Sequence, residues 1–144
     1  MLQLERLDLS KCRCMNHDLI ANCSRLKYLC LERISLNNIS FVNLLINLED
    51  LRLDFLKIEY LSSFENCKKL KKISLRGLTK MKNYEILSTA ENLEELWISG
   101  VEVLDIDQFS FLKTSKTIKK VSIDLKNKRV YNIFYEFLEG LGIS

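Results

Sequence analysis

Apolar side chains recur along this chain in one uneven rhythm, clearest at Leu48, Leu51, Leu53, Leu56 and Ile58, offsets 0, 3, 5, 8 and 10. Copies of the frame start at Leu4, Leu26, Leu48, Leu70, Leu93 and Ile118, separated by 22, 22, 22, 23 and 25 residues. Leu4, Leu7, Leu9 and Cys12 hold it in the first copy; Leu26, Leu29, Leu31, Ile34 and Leu36 hold it in the second. Leu70, Ile73, Leu75 and Leu78 follow, then Leu93, Leu96, Ile98, Val101 and Val103, and last a weaker Ile118, Val121 and Ile123. Successive strand residues point to opposite faces, so the alternation at offsets 3 and 5 predicts a short half-buried strand in each copy. A helix does not fit, because a mean spacing of 2.5 drifts around a cylinder that turns every ~3.6 residues. Leu29, Leu31, Leu51, Leu53, Ile73, Leu75, Leu96 and Ile98 are therefore expected in one continuous core.

The back half of each copy carries a second pattern. Ile20, Val42, Phe64, Ile86 and Phe109 stand at offset 16; Ile39, Leu61 and Ile106 at offset 13; Cys23, Leu45, Cys67 and Leu112 at offset 19. Three-residue spacing suits 3₁₀ turns, in which i and i+3 eclipse. Near the C-terminus, Ile133, Phe134, Phe137, Leu138 and Leu141 mark an amphipathic helix from Tyr131 to about Gly140, with Gly140 as its terminator.

A repeat of this length and frame resembles the leucine-rich repeat family, and the apolar spacing resembles its 22-residue subclass, named for a regulatory subunit of a nuclear protein phosphatase. The resemblance implies an α/β fold: a right-handed horseshoe or arc whose concave parallel sheet of about six short strands is backed by convex 3₁₀ or short helical turns. One repeat cannot bury its apolar side alone, so neighbours share a core and the ends need covers. A single domain is expected over 1–144, with a C-terminal cap over about 129–144 and nothing comparable over the first repeat. The chain is thus read either as a piece of a larger protein or as one whose first repeat is covered from elsewhere. The family places Asn or Cys at offset 8, where the side chain satisfies the turn after the strand. Here that column reads Cys12, Ile34, Leu56, Leu78 and Val101, so a less regular backbone is expected.

Composition adds little. No proline and only 4 glycines among 144 residues argue against a hairpin-rich fold, and a net charge of +3 favours no partner class. No apolar run reaches the ~18 residues of a membrane span. Met1-Leu2 leads into the repeats without a secretory signal, and five cysteines is an odd number. Both point to reduced thiols in the cytoplasm or nucleus, so the triplets at Asn22 and Asn38 are expected to be unmodified.

Chemistry-bearing residues are sparse. Cys12 and Cys14, with His17 and Cys23, have a zinc-like spacing, but Cys12, Cys14 and Cys23 fall in core columns, and core cysteine is the preferred reading. Cys30 falls on the outward strand face, as a reactive thiol or a spectator. His17 is the only histidine, no glycine-rich phosphate loop is present, and Glu94 and Glu95 point to opposite faces of one strand. The chain is read as a non-enzyme with no cofactor, metal or small-molecule substrate. Lys68, Lys69, Lys71, Lys72, Arg76, Lys80 and Lys82 form a basic run without an acid, and a second basic group, Lys113, Lys116, Lys119, Lys120, Lys126, Lys128 and Arg129, follows. Each is either charged strand surface or a phosphate-binding patch for a ribonucleoprotein. The favoured site is the outward strand face, where Trp97, Tyr28, Arg52, Asp50, Asp54, Arg76 and Glu95 would meet a partner protein; Trp, Tyr and Arg concentrate binding energy at interfaces.

Overall fold

The computed structural model describes residues 3–13 and 16–143. Each repeat contributes one strand: β1 Arg6–Ser10, β2 Tyr28–Glu32, β3 Asp50–Asp54, β4 Lys72–Arg76, β5 Glu95–Val101 and β6 Lys120–Leu125. All pair in parallel and in chain order, giving an open six-stranded α/β sheet. Offset matches offset up to a bulge late in the β5–β6 pair, where Val101 meets Leu125: Leu7, Leu29, Leu51, Ile73, Leu96 and Val121 lie side by side, as do Leu9, Leu31, Leu53, Leu75, Ile98 and Ile123. The register is forced, because a slip of one residue would turn a whole apolar column to water. All eight residues expected in the continuous core are at most 2% exposed.

The strand ends repeat as strictly as the core. The offset-1 carbonyls of Glu5, Lys27, Glu49, Lys71 and Glu94 each accept two N–H groups from the next repeat. At offset 7 the chain turns through left-handed backbone at Lys11, Arg33, Phe55, Gly77 and Gly100. The N–H groups of the first four donate to the carbonyls of Glu32, Asp54, Arg76 and Ser99. Backbone bonds hold these turns, with Cys12 Sγ adding a bond to the Ser10 carbonyl in the first, so offset 8 can be apolar elsewhere: Ile34, Leu56, Leu78 and Val101 are all buried.

The side behind the sheet is the irregular one. It holds helix α1 (His17–Ala21), 3₁₀ turns at Ser40–Leu44, Tyr84–Thr89 and Ile106–Lys113, and no helix in the third repeat. There side chains of neighbouring repeats hold the backbone: Asn83 brackets Leu61 through both N–H and carbonyl (2.7 and 2.9 Å), and Thr89 Oγ1 accepts from Phe64 (2.8 Å). Gln108 repeats the device on Tyr84 and Lys82 (2.9 and 2.8 Å). Two further bonds cross between repeats one residue before the repeat start, where Asn47 and Asn92 donate to carbonyls of Ser24 and Lys68.

Three inward assignments shift. The extra residue of the fourth repeat moves its back pattern on by one, burying Tyr84, Leu87 and Ala90 and leaving Ile86 half-buried. In the fifth repeat Leu104 is buried and Val103 is 52% exposed, just beyond the bulge between Ile98 and Val101. Leu4 is 41% exposed, since β1 has a neighbour on one side only. The expected core placement of Cys14 lies outside the described residues, as do Met1 and Leu2.

The C-terminal helix α2 spans Lys128–Gly140, is capped by the Asn127 side chain and packs on β6. Phe134 and Leu138 are buried, Phe134 meeting Phe109 edge-on at 5.3 Å. Ile133 is 47% exposed, contrary to the inward placement expected of it. The buried stripe runs Val130, Phe134, Phe137, Leu138 and Leu141, a helical spacing in which position 133 points away. The helix ends at Gly140 as expected, but the residue that caps it is Gly142 at φ +72: Gly142 and Ile143 donate to Glu139 and Leu138, closing a Schellman turn.

Candidate binding face

Outward side chains at offsets 2, 4 and 6 form three rows across the strands. Offset 2 runs Arg6, Tyr28, Asp50, Lys72, Glu95, Lys120; offset 4 runs Asp8, Cys30, Arg52, Ser74, Trp97, Ser122. Offset 6 begins Ser10, Glu32, Asp54, Arg76 and Ser99. The seven residues expected to form a site therefore do share this face. Their exposure is uneven, however, because strands about 4.8 Å apart let long side chains cover short ones.

Trp97 is half-buried and stands between two cations, Lys72 (5.5 Å) and Lys120 (4.5 Å) from the ring centre. Its Nε1 donates to Glu95 (3.2 Å), which fixes the ring on the sheet. Tyr28 is also half-buried, under the Arg6 guanidinium at 3.7 Å, and burial pushes its phenol up. Arg52 alone of the three hot-spot types is exposed. The expectation of three freely solvent-facing anchors is corrected to one, because neighbouring cations lie over both rings.

Asp54 departs further, at 3% exposed. It is ion-paired to Arg76 (3.5 Å), and its Oδ1, like that of Asp50, is buried without a hydrogen bond among the described residues. Burial raises both carboxyls, against the opposing pull of Arg76 on Asp54 and of Lys72 on Asp50. Cys30 is 6% exposed, so its outward register does not bring it to solvent. Burial pushes its thiol up to about 11, with Asp8 and Asp54 adding to the effect. A thiol held so high stays protonated near neutral pH, where only the thiolate attacks.

The basic run from 68 to 82 is free of acids in sequence but not in space. Lys68 pairs with Glu91 (3.0 Å), Lys71 with Glu94 (3.9 Å), Lys82 with Glu59 (3.4 Å), and Lys69 donates to Asn47 (2.8 Å). Lys80 is exposed and has no ion pair among the described residues. In the second group Lys119 pairs with Glu94 (2.8 Å) and holds that carboxyl below its ordinary value. The acids come from adjacent repeats, a proximity that a repeat-by-repeat reading does not display.

Sequence reading passed over Phe55 at the rim of this face. Its ring lies between the guanidiniums of Arg33 (4.3 Å) and Arg76 (4.9 Å), directly over Gly77. The available signal was the offset-7 column, where an aromatic side chain precedes two glycines. Around Cys12, His17 stacks on Phe41 at 5.0 Å, and Cys23 Sγ donates to the Leu19 carbonyl (3.3 Å). Among the described residues no three His, Cys, Asp or Glu side chains come together as metal ligands, and no helix is long and apolar enough to cross a membrane. No family model matches the chain, and no curated protein matches it.

Proposed function

We propose that this chain is a non-enzymatic protein-binding module of the leucine-rich repeat type, gripping its partner on the strand face of an arc-shaped solenoid. The observation that carries this reading is Trp97, held half-buried on the open face by Glu95 and flanked by Lys72 and Lys120. A fixed aromatic ring amid charges of both signs supplies apolar contact area without the entropy cost of ordering a floppy side chain. The in-frame repeats and the sequential parallel sheet support the leucine-rich repeat assignment. Such a module works inside the cell as a scaffold or as part of a larger receptor.

The competing reading is docking on a ribonucleoprotein through the basic clusters 68–82 (Lys68, Lys69, Lys71, Lys72, Lys80 and Lys82) and 113–129. The acids that neutralise Lys68, Lys71 and Lys82 weaken it. The deciding experiment captures the partner from native lysate, then measures both variants against it by calorimetry. Trp97→Ala is expected to weaken binding by about 2 kcal/mol or more. Lys68→Glu with Lys71→Glu is expected to change mainly the association rate and its salt dependence. The reverse ranking, with affinity collapsing as salt rises, would replace the protein partner by a nucleic-acid one.

A further inference from the structure

β6 ends the sheet and leaves one edge unpaired. Lys120 donates its N–H to Glu94 on the β5 side (3.1 Å). Successive strand residues turn their backbone groups to opposite edges, so those of Val121 and Ile123 face away from β5. Among the described residues no loop backbone or side chain bonds them. Along that edge lies a cleft of about 270 Å³ between β6 and α2, walled by Val121, Ile123, Phe134 and Leu138, with Lys120 and Glu139 also in its lining. Unpaired donors and acceptors beside an apolar cleft are the arrangement that takes up another strand.

Charge defines the strand that fits. Two rows alternate in sign from repeat to repeat: Glu5, Lys27, Glu49, Lys71, Glu94, Lys119 at offset 1, and Asp50, Lys72, Glu95, Lys120 at the end of offset 2. Lys71 and Lys72 each have an acid on both sides in these rows, whereas Lys119 and Lys120 have one on the β5 side only. We propose that the β6 edge binds an extended segment of a partner protein as an added parallel strand, one that opens with two adjacent acidic residues followed by alternating apolar ones. The acids lie beside Lys119 and Lys120, and the apolar side chains enter the cleft against Tyr131, Phe134 and Tyr135.

A second copy of this chain fits less well. Its β1 would set Glu5 beside Lys119 but Arg6 against Lys120, and α2, packed on β6 and on Phe109, occupies the flank its core would need. A single extended chain meets neither obstacle. The site lies on the sheet edge and shares only Lys120, which also flanks Trp97, with the open-face reading.

The test titrates a capped peptide, glutamate-glutamate-valine-serine-valine-lysine, into the full isotope-labelled chain by NMR. Saturable shifts are expected at the amides of Val121 and Ile123 and at the rings of Tyr131 and Tyr135, with slower amide exchange at Val121 and Ile123. Lysines in place of both glutamates should weaken binding at least tenfold, and N-methylation of the three central amides should abolish it. In the Lys119→Glu, Lys120→Glu variant, checked for folding by circular dichroism, the lysine-first peptide should bind better than the original. Indifference to N-methylation, shifts confined to Trp97 and the open face, or no shift at millimolar peptide would each overturn the proposal.

Discussion

Five residues at offset 7 share left-handed backbone, and three of them, Lys11, Arg33 and Phe55, are not glycine. An L side chain there costs about 1 to 2 kcal/mol, so Lys11→Gly, which removes only an exposed side chain, should raise stability by about 0.5 to 1 kcal/mol. Gly77→Ala should do the opposite, by about 1 to 3 kcal/mol, because a Cβ there would be strained and would run into the Phe55 ring. In a Phe55→Ala background that loss should shrink, which urea unfolding of the four proteins will show. Asp54 makes a second prediction at this scale. Its carboxyl is raised in the folded state by burial, so it binds a proton more tightly than in the unfolded chain. Its contribution then favours folding below the unfolded pKa and is lost as pH rises through the folded value. Asp54→Asn should therefore gain relative to the parent as pH is raised from about 4 to 7. Parallel denaturant titrations at the two pH values test this; a constant difference would mean that Asp54 is not raised.

Among the elements, the strands are uniform and the segments behind them are not. Strand residues obey two constraints at once, a ladder to each neighbouring strand and burial on one face, and both repeat with the sequence. The back segments need only place an apolar residue every third position, which a short α-helix, a 3₁₀ turn or an irregular loop bracketed by Asn83 and Thr89 can all do. Helix α2 has a distinct task, since Phe134 and Leu138 cover Phe109 and the last strand. Deleting 128–144 should expose that apolar end and make the protein self-associate, as light scattering after size exclusion will show. A truncated chain that stays monomeric and equally stable would remove the covering role from α2.

On the scale of the whole molecule, one apolar cluster runs from Ile20 to Leu138 without a break, touching all six strands. Each repeat depends on its neighbours for burial, so the array is expected to unfold as a unit at this length. Far-ultraviolet dichroism and Trp97 fluorescence should then report the same midpoint. Leu53→Ala, at a fully buried position in the third repeat, should lower both together by about 2 to 5 kcal/mol. Separate midpoints for the two probes would show that the N- and C-terminal halves melt independently.

The sequence by itself determined the strands, their order and their register, because a frame renewed about every 22 residues leaves one alignment that buries every apolar column. It also marked the amphipathic C-terminal helix and its end at Gly140, but not the capping role of Gly142, since either glycine is suitable until the last turn is built. What a side chain meets in the next repeat was decided only by the tertiary structure. Offset placed Trp97, Tyr28, Cys30 and Asp54 outward alike, yet the first two are covered by cations and the last two are buried. The basic run looked unopposed for the same reason: its counter-charges at Glu59, Glu91 and Glu94 stand one repeat away. Periodicity states which way a side chain points. Its exposure and ionisation depend on neighbours some 22 residues distant in sequence and one strand spacing, about 4.8 Å, away in space.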